Sequence, residues 1–154
     1  MSKTKALRDA IYHPDILVMP GVFDGFSTRL VEHFGYPSAF ITGSGVSESR
    51  LGQVDVGIMG LEENVAGARA MVACSNLALL ADGDTGYGNA VNAYYTIKGF
   101  EQAGVAGVML EDQVWPKRCG HMRGKEVIAQ DEMVEKLHAA CEARQDPNLS
   151  LIHI

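Results

Sequence analysis

Two acidic stretches and one basic stretch hold most of the residue types that could do chemistry. Asp82-Gly83-Asp84 sets two carboxylates two residues apart, on one side of an extended backbone. Oxygen ligands of this kind suit a hard divalent cation, Mg²⁺ first with Mn²⁺ as the alternative, because Mg²⁺ keeps several waters and takes one or two carboxylates. The plainer reading is that Asp82 and Asp84 only cap a turn and the helix after it. Glu111, at a neighbouring strand end and placed to hold a metal-bound water, tips the balance toward metal. Lys117-Arg118-Cys119-Gly120-His121 gathers two cations and an imidazole about a thiol. Such surroundings lower a cysteine pKa and fit the thiol for proton transfer. Gly43-Ser44-Gly45 lets backbone amides approach an anion closely, or simply makes a turn. Cys74 and Cys141 fall in helical patterns and read as small core residues. His33, His138 and His153 lie apart from any acidic or cysteine cluster and read as helix-face or terminal residues.

The elements that must position these groups follow from apolar runs and turn signals. Residues 16–20 form a short apolar run closed by Pro20-Gly21, which predicts a buried strand. Asp24 can cap a helix to about residue 35, with Phe26, Leu30, Val31 and Phe34 on one face. Further strands are expected at 38–42, 77–81, 105–110 and 149–154, and further helices at 61–74, 90–103 and 131–144. Between 42 and 61 the chain reads as a polar, glycine-containing connection, and residues 112–130 as a long functional loop. The charged residues Lys3, Lys5, Arg8, Glu132, Glu135 and Lys136 read as solvated faces. The order is βαβαβαβαβ with continuous apolar strands, which means a parallel sheet with right-handed crossovers. Thr42-Gly43-Ser44, Asp82, Asp84, Glu111 and Asp112 all follow strand ends. In α/β sheets and barrels that edge carries the chemistry.

Composition sets the outer limits. Among 154 residues, 19 are Asp or Glu and 13 are Lys or Arg, for a net charge of −6. An acidic balance without a basic face argues against a nucleic-acid partner. Three cysteines in a chain of this length do not make a disulfide framework, and the first twenty residues lack a signal-peptide core. The apolar runs are too short to span a membrane, so a cytoplasmic protein is the expectation.

Taken together, the stretch from Asp82 to Gly88 and the stretch from Glu111 to His121 resemble the isocitrate lyase/phosphoenolpyruvate mutase superfamily. The second is the more specific, since a Lys-basic-Cys-Gly-His loop marks the lyase members. Those members include methylisocitrate lyase and dimethylmalate lyase; carboxyphosphonoenolpyruvate mutase-like proteins share much of the loop. The resemblance runs from about residue 18 to 147. It implies a (β/α)₈ barrel, here its amino-terminal half with about five parallel strands, occupying residues 1–154 as one partial domain. It also implies a homo-oligomer, typically a tetramer, with Mg²⁺ and a 2-oxo acid at the barrel mouth. By motif, Asp82 and Asp84 become metal-site residues, with Glu111 and Asp55 binding through metal waters. Thr42-Gly43-Ser44 becomes the loop for the substrate carboxylate. Cys119 becomes the catalytic cysteine of a mobile loop, Gly120 a substrate contact, and Lys117 and His121 the accompanying catalytic candidates.

The implied activity is Mg²⁺-dependent carbon–carbon cleavage of a 2-hydroxy dicarboxylate to a 2-oxo acid and a carboxylate. The alternatives within the superfamily are a phosphonate-forming mutase and an oxaloacetate decarboxylase; outside it, a non-catalytic half-barrel. Phe40 stands where lyase relatives usually have Tyr, and Gln53-Val54-Asp55 replaces Leu-Pro-Asp. Both changes bear on substrate more than on fold. A barrel of this kind needs about 250 residues, and the Arg–Thr–Asp segment that relatives carry after strand five is not in this sequence. The expectation is an amino-terminal half, either truncated or altered at its end.

Overall fold

Strands form where apolar residues run continuously, and helices where one face repeats every three to four residues. The computed structural model describes residues 2–154. The elements are α1 (Lys3–Ile11), β1 (Gly21–Val22), α2 (Gly25–His33), β2 (Ser38–Ile41), α3 (Gly43–Leu51), α4 (Leu61–Ala73), β3 (Ala78–Asp82), α5 (Ala90–Ala103), β4 (Gly107–Leu110), α6 (Gln130–Ala143) and β5 (Ser150–His153). All five strands are parallel and stand in chain order, β1-β2-β3-β4-β5. A doubly wound sheet would reverse direction at a switch point, whereas unbroken succession is the order of a barrel segment.

β3 is buried along its whole length because it lies between two strands and feeds both faces. Leu79 and Ala81 join the larger core with Ile41, Val108, Met71, Ile97 and Phe100. Ala78 and Leu80 face the other way, into a smaller cluster with Ala106 and Leu7 of α1. Alternation therefore puts Asp82 on the inner face with Ala78 and Leu80. α1 packs against β3 and β5 near the amino-terminal end of that face, and Asp82 stands at the opposite, carboxyl end.

Several sequence expectations are corrected. Residues 16–20 form no strand, and Ile16 is 90% exposed. Pro20 has no amide to give a ladder, so only its carbonyl joins, accepting from Phe40 N at 3.0 Å. The strand is displaced to Gly21–Val22. α3 forms where a polar connection was expected: the Thr42 side chain accepts from Gly45 N at 3.3 Å, and Gly52 ends the helix in left-handed geometry. Of the charges read as solvated, Lys5, Arg8, Glu132 and Glu135 are exposed as expected, while Lys3 is half-buried. Lys3 Nζ donates to Ser75 O at 2.7 Å, and Arg8 donates to Pro147 O. Lys136 is buried. On α2, Val31 alone of the expected face packs on the core, while Phe26 and Phe34 are 77% and 70% exposed. Cys141 is exposed and Cys74 half-buried, so neither is a core residue. Among the described residues no helix is long and apolar enough to cross a membrane.

Candidate active site

The turn after β3 is built to bring carboxylates together at the carboxyl edge. Gly83 N donates to Met109 O at 2.8 Å, and Glu111 N donates to Asp84 O at 2.8 Å, so the turn is laced to the end of β4. A Cβ on Gly83 would lie 2.8 Å from Val108 Cγ1, so only glycine allows this approach. Asp84 adopts φ +48, a left-handed conformation uncommon outside glycine, and its amide donates to Asp82 Oδ1 at 2.9 Å. The other Asp82 oxygen accepts from Gly43 N at 3.2 Å, at the first turn of α3.

A buried lysine closes this group. Lys117 Nζ lies 2.8 Å from Asp55 Oδ2, 2.8 Å from Asp84 Oδ1 and 3.8 Å from Glu111 Oε1. The contact with Asp55 is a formed hydrogen bond, whereas that with Asp84 is an ion pair without favourable hydrogen-bond alignment. Burial alone would lower the Lys117 pKa, but Asp84, Asp82 and Asp55 outweigh it and hold the ammonium well above the usual lysine value. Burial, reinforced by the Asp84 charge, pushes Asp82 up to about 7. Burial also raises Glu111, against the pull of Lys117.

The structure thus brings Asp55, Asp82, Asp84, Glu111, Lys117, Thr42 and Gly43 to one place. Cys119 is half-buried beside them, its amide donating to Asp55 O at 3.0 Å. It leaves others outside. His121 and Gly120 are exposed on the loop, and Ser44 Oγ reaches only Glu48 Oε1, at 3.4 Å. The thiol is not ringed by cations as the sequence suggested. Lys117 turns inward because the buried carboxylates are stronger partners for its ammonium than the sulfur is, and Arg118 Nη1 donates to Arg123 O.

Three supporting residues were missed in the sequence. Asn64 of α4 is fully buried and donates from Nδ2 to Asp82 O at 2.9 Å and to Tyr87 Oη at 2.8 Å. Burial, reinforced by the Asp84 charge, holds the Tyr87 hydroxyl far above the usual phenol range. Gln113 Nε2 donates to Glu111 Oε2 at 2.6 Å and to Arg118 O at 2.9 Å. An asparagine between Leu61, Val65 and Ala68 was the available signal, since a polar residue on an apolar helix face needs a buried partner.

The donor set fits a hard cation. Its side chains are carboxylates at the ends of β3 and β4 and in the 52–60 connection, and they already surround a positive charge. Among the described residues, however, no three Asp, Glu, His or Cys side chains stand as a ready ligand cluster. The carboxylates converge on the ammonium instead.

The family model for phosphoenolpyruvate phosphomutase matches residues 7–153. The chain belongs to the phosphoenolpyruvate mutase/isocitrate lyase superfamily. Within this superfamily of carbon–carbon lyases and mutases it is 40% identical over 152 residues to 2,3-dimethylmalate lyase of Eubacterium barkeri, covering 99% of this chain and 53% of the relative. It is 37% identical over 145 residues to 2-methylisocitrate lyase of Shewanella oneidensis, covering 94% and 50%. Oxaloacetate acetylhydrolase in complex with the inhibitor 3,3-difluorooxalacetate superposes with TM-score 0.93 at 36% identity, over 99% of this chain and 53% of that one. Phosphonopyruvate hydrolase with oxalate and Mg²⁺ superposes with TM-score 0.90 at 29% identity, over 99% and 52%. The superfamily chain described here spans about half the length of these relatives.

Proposed function

We propose that this chain carries the cation-binding half of a Mg²⁺-dependent carbon–carbon lyase for a 2-hydroxy dicarboxylate such as dimethylmalate or methylisocitrate. The observation that carries the reading is the gathering of Asp55, Asp82, Asp84 and Glu111 at the carboxyl strand edge with Cys119 on the loop beside them. Asp82 and Asp84, with Asp55 and Glu111 around them, would hold the ion. When bound, the ion supplies Lewis-acid polarisation of the oxo acid being formed.

The protein's own groups account for the remaining steps. Thr42, Gly43 and Ser44 open α3, whose first-turn amides and positive end favour a substrate carboxylate. Cleavage takes the proton from the substrate hydroxyl, breaks the adjacent carbon–carbon bond and leaves its electron pair on the departing carbon. A carboxylate of this cluster at the strand edge would accept the hydroxyl proton. Cys119 delivers a proton from its thiol to the departing carbon, yielding the product carboxylate. Residues 112–129 cover the site and keep water from doing so unselectively.

The test is product analysis. Pyruvate release from dimethylmalate or methylisocitrate that requires Mg²⁺ supports a lyase; phosphonopyruvate interconversion or oxaloacetate decarboxylation alone would replace it with the corresponding activity. A second reading is a half-barrel that binds a carboxylate ligand or associates, since among the described residues β1 and β5 each leave one edge of the sheet without a partner strand. Turnover above background by the purified chain excludes it.

A further inference from the structure

We infer that Lys136 is a positioning residue for the carboxylate cradle: from behind the turn after β3 it holds the Thr85–Gly86 peptide, and through that peptide keeps Asp84 aimed into the site. The inference rests on the divalent-cation reading above and extends it to a residue behind the site. Two observations carry it: where α6 puts the ammonium, and how the turn is tied.

Lys136 is the misfit of its helix. The inward face of α6 carries Met133, Lys136, Ala140 and Ala143, and the three apolar members join the core. Glu132 stands one turn away at 3.9 Å and half in solvent, yet only 4% of the Lys136 side chain is exposed. Side chains of this length ordinarily run out to water. Here Nζ donates inward instead, to Thr85 O at 3.4 Å. Burial lowers the Lys136 pKa against the pull of Glu132, so the charge is held where desolvation opposes it. A methionine of similar length would fill the same space without that penalty, so packing alone does not call for lysine.

The turn has three successive carbonyls tied to three different elements. Asp84 O accepts from Glu111 N after β4 at 2.8 Å, Thr85 O from Lys136 of α6, and Gly86 O from Thr96 Oγ1 of α5 at 3.0 Å. The middle peptide has the least hold of its own, because Gly86, at φ +83, rotates at little steric cost. Its other end, Gly86 N, donates to Gly83 O at 3.0 Å and closes the turn over Asp84. Asp84 itself sits at φ +48, a strained conformation for a residue with a side chain, kept only where the surroundings over-determine it. Without Lys136, Thr85 O is a buried acceptor that has lost its cation, and its peptide is free to rotate. The Gly83 O bond then opens and Asp84 relaxes, drawing its carboxylate from the position beside Asp55 and Lys117.

Amide hydrogen exchange on the intact, metal-free chain reads this hold directly. In Lys136→Met the Gly86 and Glu111 amides should exchange about tenfold faster, the scale of one bond to a charged group. Ala106 N, bonded to Leu79 O in the sheet, should keep its wild-type rate. Lys136→Arg, which retains a cationic donor, should restore most of the protection. Calorimetric affinity for Mg²⁺ alone should fall about tenfold in Lys136→Met, as one carboxylate of a sparse oxygen site is misplaced, and recover in Lys136→Arg. Equal acceleration of Gly86 and Ala106 would make Lys136 a packing residue, and an unchanged Gly86 rate would remove its hold; either result overturns the inference. Should Lys136→Met fail to fold, acetic anhydride labelling of the wild-type chain decides. Lys136 should then label about tenfold or more slowly than the exposed Lys5, and equal rates overturn the inference. If the exchange pattern holds while the wild-type chain binds no Mg²⁺, the role of Lys136 in the turn stands and the divalent-cation reading fails, which is a different result.

Discussion

A single methyl group placed at Gly43 tests whether Asp82 is held as tightly as its geometry requires. A Cβ there would meet Asp82 Oδ2 at 2.8 Å and Cγ at 3.2 Å. Ordinary contact begins at 3.4 Å, so the 2.8 Å oxygen must retreat by about 0.6 Å. That retreat draws it away from the Gly43 amide, now 3.2 Å distant and already at the long end of a hydrogen bond. Asp82 cannot retreat freely, because its other oxygen accepts from Asp84 N and its carbonyl from Asn64. Overpacking of a tight site costs about 1–3 kcal/mol, and a lost bond to a charged acceptor about 1.5–3 kcal/mol. Against these, alanine in place of glycine gains at most about 1 kcal/mol in a helix, and less in its first turn. The two costs are alternatives, since the retreat that relieves the clash is what weakens the bond, so Gly43→Ala should destabilise by about 1–3 kcal/mol, lowering Tm by about 3–10 °C for a chain of this size. Circular dichroism melts with and without Mg²⁺ measure it. Gly120→Ala is the control: nothing lies within 4 Å of its added carbon, so it should stay within about 0.5 kcal/mol of wild type. A Gly43→Ala chain that melts with the wild type and binds Mg²⁺ equally well would refute the close-packed cradle.

In an active preparation, Cys119→Ser should cut turnover about 10²-fold or more while leaving substrate affinity within a few fold, the scale of a lost general acid; equal turnover would remove Cys119 from the reaction. Asn64→Leu should cost about 2–4 kcal/mol in urea unfolding, since it strips donors from both Asp82 O and Tyr87 Oη; a loss below about 1 kcal/mol would mean that the buried amide positions nothing. The Asp82 pKa is raised from 3.8 to about 7, so in the metal-free chain its stabilising contribution is complete below about 3.8 and lost as pH rises through about 7. Chelator-treated protein should thus melt lower at pH 8 than at pH 5, and Asp82→Asn should reduce that difference; the same slope in both proteins would refute the assignment to Asp82.

Much of the fold was legible because it depends on local patterns. Continuous apolar runs marked β2 to β5, residue types at strand ends picked out Asp82, Asp84 and Glu111, and the basic stretch about Cys119 picked out Lys117, before any coordinates. What was illegible depends on pairing across the chain. Nothing near Lys117 in the sequence says that its ammonium will choose carboxylates from residues 55, 84 and 111 over the adjacent thiol. α3 was hidden because Gly43-Ser44-Gly45 is a poor helix start by propensity, and the Thr42 cap and neighbouring Asp82 make up the difference. The displacement of β1 past Pro20 turns on one missing amide, and the apolar stripe of Phe26 and Phe34 looked like a core face although both side chains stand in solvent.

The unbroken succession β1 to β5 also has a kinetic meaning. Each strand pairs with the one made just before it, so every crossover closes over a single unit and none waits for a distant segment. Thr42 through Cys119 lie in consecutive units of this series, and the carboxylates of residues 55, 82, 84 and 111 are delivered by neighbours in chain order. The cradle can therefore assemble progressively as the polypeptide lengthens, with each parallel pairing templating the next. Acidic groups that would repel one another in isolation arrive one after another onto an existing sheet, and the lysine that neutralises them follows last, at position 117.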